Sequence, residues 1–93
     1  MGYVFEWDGK KAAANRLKHG VSFDEAMTTF SDPLSILLHD PDHSVSERRY
    51  LVPGMSNRRR LLVVAFAERP PRTRLISARR ATRRERRKYE EEG

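Results

Sequence analysis

The first third of the chain alternates short apolar runs with polar breaks, and this pattern predicts a strand followed by helices. Residues 4–7 form a strand-length segment with two aromatic side chains on one face, ended by an Asp-Gly pair. Residues 10–19 contain mainly the helix formers Lys, Ala, Arg and Leu. Asp8 is placed to cap the start of this helix and Gly20 to end it in a left-handed conformation, so we expect a helix between them.

A second helix is predicted directly after the first. Ser22 stands at the N-cap position with Glu25 three residues later, which is the spacing of a reciprocal capping box. The helix should extend to about Phe30, where Ser-Asp-Pro breaks the chain. Its apolar positions recur at helical spacing and predict one buried face, made of Phe23, Ala26, Met27 and Phe30.

The remaining segments predict a sheet and a final helix. Apolar or alternating runs predict four strands, over residues 34–38, 47–52, 61–67 and 73–78. Residues 61–67 are apolar on both faces and should form the central strand, whereas Pro53-Gly54 should close the strand before it. Thr82 and Glu85 form a second capping box, which predicts a C-terminal helix. The sequence therefore predicts one α+β domain over residues 1–93, with a small antiparallel sheet, two N-terminal helices and one C-terminal helix.

Length and composition restrict the class of protein. Ninety-three residues with 38% hydrophobic content in clustered runs suit one small globular domain. No apolar stretch approaches the roughly 20 residues that cross a bilayer, and no basic-then-apolar leader begins the sequence, so we expect a cytoplasmic protein without a membrane partner. Because the chain has no cysteine, it has neither disulfides nor thiolate metal ligands. Packing or a protein partner must supply its stability.

Charge is distributed unevenly along the chain. The formal net charge is +6, and residues 58–88 hold 13 of the 19 basic side chains with only two acidic ones. Like charges at this density repel one another, which favours a polyanionic partner. Nearly all of these side chains are arginines, whose planar guanidinium binds phosphate in bidentate fashion, and no large apolar helix face accompanies them. Nucleic acid is therefore favoured over a membrane.

Short segments in a fixed order carry a family resemblance. They are Phe5-Glu6-Trp7-Asp8, Lys18-His19-Gly20-Val21-Ser22-Phe23, Phe30-Ser31-Asp32-Pro33, Asp42-His43-Ser44 with Glu47-Arg48, and Ile76-Ser77-Ala78-Arg79 with Ala81-Thr82 and Glu85-Arg86. This ordered set, from about Phe5 to Tyr89, resembles the BrnT family of type II toxins. The resemblance implies a RelE-like fold, cleavage of RNA, and tight neutralisation by a cognate BrnA-like antitoxin encoded adjacently, in a hetero-oligomer.

Cleavage of RNA without a metal or cofactor requires groups that move protons and groups that stabilise charge on the phosphate. Lys18 and His19, at the end of the first helix, are the candidates for moving protons. Arg48, Arg69 and Arg79, at the starts and ends of strands, are the candidates for stabilising charge. Further contacts with RNA are predicted for Arg74, Arg80, Arg83, Arg87 and Tyr89.

Structural alternatives stay open for four of these side chains. His19 would interact favourably with the helix dipole as an imidazolium, whatever its chemistry. Arg69 and Arg79 could each be simply exposed or form an ion pair with Glu68 or Glu85 instead of binding phosphate. Tyr89, the only large apolar residue late in its helix, could anchor that helix to the sheet instead of stacking on a base.

Other polar residues in the middle of the chain carry weaker predictions. The histidines and aspartates within residues 39–43 match no standard metal site, so we predict no metal. His43 is a lesser candidate for proton transfer, and His39 is expected to be structural or exposed. Glu47 should face away from Arg48 because neighbours in a strand point to opposite faces.

Two alternatives compete with a ribonuclease that acts on single-stranded or ribosome-engaged RNA. A non-catalytic basic module that binds nucleic acid would need the same arginines. Against it, the sequence has no helix-turn-helix signature and no surface aromatic pair of the RRM type. The second alternative is a structural subunit that folds only with its partner.

Overall fold

The computed structural model describes residues 3–40 and 48–92. Its elements, in chain order, are β1 (Phe5–Glu6), α1 (Gly9–His19), α2 (Phe23–Thr28), a 3-10 turn (Thr29–Ser31), β2 (Leu38–His39), β3 (Arg49–Met55), β4 (Leu61–Arg69), β5 (Arg72–Arg80) and α3 (Arg83–Glu92). The predicted order of one strand, two helices, four strands and a terminal helix is confirmed. Within the described ranges, no helix is long and apolar enough to cross a membrane.

The five strands form one mixed sheet in the order β1-β5-β4-β3-β2. The predicted central strand, now β4, has that position. The strands from β2 to β5 pair antiparallel in succession, but β1 pairs parallel with β5 through Phe5 opposite Thr73. The expectation of a purely antiparallel sheet was therefore wrong at this edge. Short connections make sequential strands antiparallel, whereas β1 reaches the sheet independently of them.

Helices cover both faces of the sheet. On the α1 face, as we name it, Val21, Phe23 and Ala26 pack against strand residues that include Val64. On the α3 face, Tyr89 of α3 and side chains of β3 and β4 enclose a cavity of about 40 Å³. This arrangement buries both sides of β4, as its continuous apolar sequence predicts. The RelE-like arrangement implied by the resemblance stays a prediction.

The predicted caps of α1 are present, and those of α2 are present in part. The Asp8 side chain accepts a hydrogen bond from the backbone N–H of Lys10 at 3.0 Å, and Gly20 ends α1 with a φ of 69°. Ser22 Oγ accepts from the Glu25 backbone N–H at 3.1 Å. The reciprocal half of this box is absent because the Glu25 carboxylate binds side chains elsewhere. The sequence prediction was wrong on that point.

Strand β3 continues through Pro53 and Gly54, which were expected to close it. The Pro53 carbonyl accepts a hydrogen bond from Ile36 N–H at 3.1 Å, so its nitrogen also points away from β4 and no bond to β4 is lost. Gly54 is buried, and a Cβ built on it would lie 3.1 Å from the Thr29 carbonyl oxygen. The Pro-Gly pair therefore permits close packing inside a strand and does not form a turn.

The strand predicted over residues 34–38 is largely absent, because β2 begins at Leu38. Asp32 holds the preceding segment in a turn, in which its side chain accepts from Leu34 N–H at 2.9 Å and its carbonyl from Ser35 N–H at 3.0 Å. Leu34 and Leu37 are exposed in consequence. The apolar run indicated a strand, but local hydrogen bonding decides its conformation.

Asn15 fastens α1 to the edge of β5 beyond the end of β1. Its side-chain amide donates to the Ala78 carbonyl at 2.8 Å, and its oxygen accepts from the Ala78 N–H at 3.0 Å. The amide also donates to the Val21 carbonyl at 2.9 Å. The Asn15 side chain thus makes the two backbone bonds that a neighbouring strand would make, and these bonds fix the position of α1.

Candidate nucleic-acid interface

The strand register gathers five arginines on the α3 face of the sheet. Residues directly opposite each other in antiparallel strands project to the same face. Arg49 and Arg74 each lie opposite Ala67, Arg69 lies opposite Arg72, and Arg79 lies opposite Val63. We call this set the arginine face, and its members are Arg49, Arg69, Arg72, Arg74 and Arg79. The predicted residues Arg69, Arg74 and Arg79 are brought together here, while Arg49 and Arg72 were missed.

Arg48 lies apart from this set. Its carbonyl accepts a hydrogen bond from Glu68 N–H at 3.0 Å, which places Arg48 just before β3 and in step with Tyr50. Alternation along the strand then directs Arg48 to the α1 face and Arg49 to the arginine face. No clear signal for this existed in the sequence, because Tyr50, Leu51 and Val52 are apolar in succession and do not distinguish the two faces of the strand.

Glu6 of β1 balances part of the charge on the arginine face. Its carboxylate oxygens lie 3.7 Å from Arg72 Nη1 and 3.6 Å from Arg74 Nη1. These separations exceed hydrogen-bond length, so Glu6 attracts both guanidinium groups without occupying their donors. The arrangement keeps the two arginines on the face while leaving N–H groups to bind a phosphate.

Arg79 forms a bidentate ion pair with Glu85, in the first turn of α3. Arg79 Nη1 and Nη2 donate to the two carboxylate oxygens at 2.7 and 2.8 Å. Glu85 also completes the predicted capping box, accepting from Thr82 N–H at 2.9 Å while Thr82 Oγ1 accepts from Glu85 N–H at 3.2 Å. These bonds, the Arg79 bonds first, lower the pKa of Glu85 to about 2 against the cost of burial. The ion-pair alternative for Arg79 is thus present, and its side chain is still 38% exposed.

Tyr89 anchors α3 to the sheet. Its ring is buried, and its hydroxyl donates to Asp32 Oδ2 at 2.5 Å. Burial, followed by the hydrogen bond to Asp32, raises the pKa of Tyr89 to about 12. Burial also opposes ionisation of Asp32, but bonds from Tyr89 and from the N–H groups of Met55 and Leu34 outweigh it and lower the Asp32 pKa. A covered ring cannot stack on a base. The buried position of Tyr89 therefore agrees with the alternative of an anchor and not with the predicted contact with RNA.

Lys18, His19 and Arg80 lie on the other face of the sheet from the arginine face. Arg80 is opposite Leu62, a core residue of the α1 face. Arg60 Nη2 donates to the Gly20 carbonyl at 3.2 Å, so α1 ends where β4 begins and β5 ends. The proposed proton-transfer residues are therefore near the same end of the sheet as Arg79, but across it. Lys18 and Arg80 are exposed, and His19 is half-buried.

Glu25 forms a buried ion pair that sequence reasoning missed. Its carboxylate accepts from Ser56 Oγ at 2.7 Å and Arg60 Nε at 2.9 Å, and Arg60 Nη2 binds its second oxygen. The Arg60 bonds, which outweigh burial, lower the pKa of Glu25. A carboxylate neutralised in this way joins α2 to the turn before β4 and is unsuited to act as a base near neutral pH.

The basic residues of α3 extend the cationic surface outward. Arg83 and Arg87, predicted to bind RNA, are exposed, and so are the neighbouring Arg84 and Arg86. Arg86 has a loose ion pair with Glu90 at 4.0 Å. Because Glu85 and Tyr89 face the sheet, the remaining cations of the helix face solvent. Helix and arginine face together present the positive charge that the sequence concentrates after residue 58.

The described residues contain no group of three or more His, Cys, Asp or Glu side chains that could hold a metal ion. His39 packs edge-on against Tyr50, with ring centroids 5.8 Å apart, on the α1 face. This contact agrees with the structural role expected for His39. The weaker candidates His43 and Glu47 lie outside the described residues, so their predictions stay as they were.

Comparison with known proteins adds independent information. The sequence model of a family described as "Ribonuclease toxin, BrnT, of type II toxin-antitoxin system" matches residues 7–85. The 1.1 Å crystal structure of the Brucella abortus ribonuclease toxin BrnT shares the fold, with a TM-score of 0.67 and 21% identity, over 88% of this chain and 100% of that one. No match was found among curated proteins. Because the family match spans most of the sequence, this chain belongs to the BrnT family of ribonuclease toxins of type II toxin–antitoxin systems.

Proposed function

We propose that this protein is the toxin of a type II toxin–antitoxin pair and that it inhibits growth by cleaving RNA in the cytoplasm. Membership of the BrnT family supports the ribonuclease activity. The arginine face is the single observation that carries the proposal for where RNA binds, because five guanidinium groups share one side of a small sheet. The substrate is single-stranded or ribosome-engaged RNA.

The reaction is attack of a ribose 2′-hydroxyl on the adjacent phosphate, without a metal. A bond forms between the 2′-oxygen and phosphorus, and the bond from phosphorus to the 5′-oxygen breaks. The products are a 2′,3′-cyclic phosphate and a 5′-hydroxyl. The phosphate oxygens gain charge in the transition state, and guanidinium groups stabilise that charge. Arg79 fills this role at the end of the sheet where α1 also ends, while Arg69, Arg74, Arg49 and Arg72 bind phosphates further along the RNA.

Arg79 is able to bind the scissile phosphate while it stays paired with Glu85. Its pair with Glu85 uses one N–H from each of two nitrogens, out of the five donors that a guanidinium carries. The pair orients the group without using all of its donors. Arg79 is thereby held in place at the end of the arginine face that is nearest to α3.

Proton transfer is assigned to His19 or Lys18, one taking the 2′-hydroxyl proton and the other supplying a proton to the 5′-oxygen. Both lie at the end of α1, across the sheet from the arginine face. The scissile phosphate must therefore lie at the end of the sheet near Arg79 and Arg80, because the proton-transfer groups and the charge-stabilising group have to act on the same linkage. Single substitutions His19→Gln and Lys18→Gln test the assignment, because each should slow cleavage without weakening RNA binding.

RNA cleavage in EDTA by the purified full-length protein is the direct test. We expect cleavage of single-stranded RNA but not DNA of the same sequence, with 2′,3′-cyclic phosphate or 3′-phosphate ends. The double substitution Arg69→Gln with Arg74→Gln should abolish cleavage, whereas Arg16→Gln, which removes an exposed arginine of α1, should not. Loss of activity on chelation that magnesium restores would overturn the metal-free mechanism.

One observation favours a second candidate, a basic module that binds RNA without cutting it. In the described ranges both histidines, His19 and His39, lie away from the arginine face. The same experiment separates the two candidates, because the module would bind RNA tightly and leave it intact. The pattern of cleavage products therefore decides between a ribonuclease and a binding protein.

A cognate antitoxin, BrnA-like and encoded adjacently, completes the proposal. We propose that it forms a hetero-oligomer with the toxin and covers the cationic surface of residues 69–88. Covering these arginines would inhibit by competition with RNA. An open reading frame for a small protein next to this one, whose product co-purifies with the toxin, is the expected observation.

A further inference from the structure

A second feature of the α1 face has no part in the mechanism above. Near the hairpin that joins β4 to β5, a cavity of about 400 Å³ opens between the sheet and the N-terminal segment. Pockets of this size accommodate small ligands. Tyr3, Phe30 and Phe66 line it, with Phe30 packed edge-on against both other rings at centroid distances of 5.1 and 5.2 Å. The Tyr3 ring is 56% exposed and stands where a flat ligand could stack on it.

The polar side chains that line this cavity indicate which kind of ligand it can bind. Glu68 and Thr73 lie directly opposite each other in β4 and β5, and Ser35 and Arg72 line the cavity with them. In the described part of the chain, no hydrogen bond or ion pair involves the Glu68 carboxylate, although this half of the molecule is strongly cationic. Arg48 lies opposite Glu68 on the same face but forms no ion pair with it in the described ranges, so both carboxylate oxygens can accept hydrogen bonds from a ligand.

We infer that this cavity binds a guanine base of the RNA, an inference that rests on the proposed function. An ionised carboxylate accepts hydrogen bonds and donates none. Guanine alone among the four bases offers two adjacent donors on its pairing edge, N1–H and the 2-amino group, which match the two oxygens of Glu68. The hydroxyls of Thr73 and Ser35 can donate to guanine O6 or N7, and Tyr3 stacks on the ring.

The position of the cavity connects it to the arginine face. Glu68 and Thr73 point to the α1 face, while Arg69 and Arg72, the next pair in the same hairpin, belong to the arginine face, and Arg72 also borders the cavity. A nucleotide at the hairpin can therefore place its base in the cavity and a neighbouring phosphate on Arg69. The cavity would select which phosphate is cut, because it fixes one base relative to the arginines.

Nucleotide binding to the full-length protein tests the inference without requiring cleavage. Guanosine 5′-monophosphate should bind about tenfold more tightly than inosine 5′-monophosphate, which lacks only the 2-amino group, since bidentate base contacts discriminate by about that factor or more. Glu68→Gln should remove this preference, and Tyr3→Ala should weaken both nucleotides. Glu91→Gln, which changes an exposed acid on α3, should change neither. NMR shifts on titration should include the residues that line the cavity.

The outcomes separate this inference from the proposed function. Equal affinity for the two nucleotides, or NMR shifts confined to the arginine face, would overturn the guanine site. Substitutions at Tyr3 and Glu68 that leave nucleotide binding unchanged but weaken antitoxin binding would overturn it in favour of a protein side chain in the cavity. Guanine binding by a protein that does not cut RNA would uphold the cavity and overturn the ribonuclease. If the parent protein cleaves RNA at sites that have no guanine at a fixed distance from the cut, the ribonuclease is upheld and the guanine site is overturned.

Discussion

The guanidinium of Arg79 has two roles in the proposed mechanism, one toward Glu85 and one toward RNA, and a pair of variants separates them. Arg79→Ala and Glu85→Gln both break the bidentate pair, so both lose its contribution to stability. Only Arg79→Ala also removes a phosphate contact, and it should lower the cleavage rate by about 100-fold more than Glu85→Gln does. Arg79→Lys should recover little, because lysine lacks the fork geometry.

Cleavage rates and thermal unfolding of the folded variants, measured side by side, check this expectation. Similar activity losses in Arg79→Ala and Glu85→Gln would assign Arg79 to the attachment of α3 alone.

The same ion pair predicts acid sensitivity. The pKa of Glu85 falls from 4.5 to about 2 on folding, so its charged form is stabilised in the folded protein. Its contribution to stability is complete above pH 4.5 and is lost as the pH falls toward about 2. Urea unfolding at a series of pH values should show the difference in unfolding free energy between the parent and Glu85→Gln shrinking over this interval. A constant difference would contradict the assigned pKa.

Glu25 shows what burial does to an ion pair. Its side chain is 3% exposed, and Glu25→Gln leaves Arg60 without its charged partner. Loss of one partner from a buried pair costs about 3 kcal/mol, and we expect a decrease of that order in the unfolding free energy. Arg58 provides the control, because it lies 3.9 Å from the same carboxylate with its own side chain 71% exposed. Arg58→Ala should cost less than about 0.5 kcal/mol, and equal losses for the two variants would contradict this account.

At the scale of the element, helix ends were the most predictable feature of the sequence. The caps at Asp8, Gly20 and Thr82 depend on neighbours within a few residues, so local sequence determines them. The parallel pairing of β1 depends on the distant strand β5, and no local signal indicates it. Pro53-Gly54 was misjudged for a related reason, since only the packed neighbours show that this pair can stay in a strand.

The residues of the candidate site, like the elements, were predictable from composition and nearby sequence but not from contacts between distant segments. Sequence reasoning identified arginine as the relevant chemistry and named Arg69, Arg74 and Arg79, because charge is visible in composition. It could not assemble them on one face, since that depends on strand register. It also named Arg48 and not Arg49, because three successive apolar residues, from Tyr50 to Val52, do not show which arginine faces which side of the sheet. The aromatic cavity was missed because its residues are far apart along the chain.

The Tyr89 hydroxyl contributes to the attachment of α3, alongside the ion pair of Arg79 with Glu85. Tyr89→Phe removes the bond to Asp32 while preserving the ring, and a hydrogen bond to a charged group contributes about 2 kcal/mol. We expect unfolding free energy to fall by about that amount in denaturant unfolding. Tyr3→Phe, at an exposed ring, is the matched control and should change little. If the two substitutions have equal effects, the Asp32 bond does not hold the helix.

At the scale of the whole molecule, the net charge of +6 resides mainly on the arginine face and α3. An antitoxin that covers residues 69–88 with an acidic or mixed segment should be attracted over long distances. Its association rate should fall as salt rises from 0.1 M to 1 M and the Debye length shortens from about 10 Å to about 3 Å. Stopped-flow measurements of the toxin–antitoxin association rate at each salt concentration, together with the RNA affinity of the complex, test this expectation. A salt-independent rate, or a complex that binds RNA as tightly as the free toxin, would rule out competition at this surface.

The side-chain amide of Asn15 also affects whether another chain can bind at the edge of the sheet. A strand edge with unsatisfied backbone groups is a template on which a foreign strand can be added, and such edges promote aggregation and strand exchange. By binding both backbone groups of Ala78, Asn15 closes this part of the β5 edge with one side chain. An antitoxin therefore cannot extend the sheet at Ala78 unless it first displaces Asn15, and a second copy of the toxin meets the same obstacle.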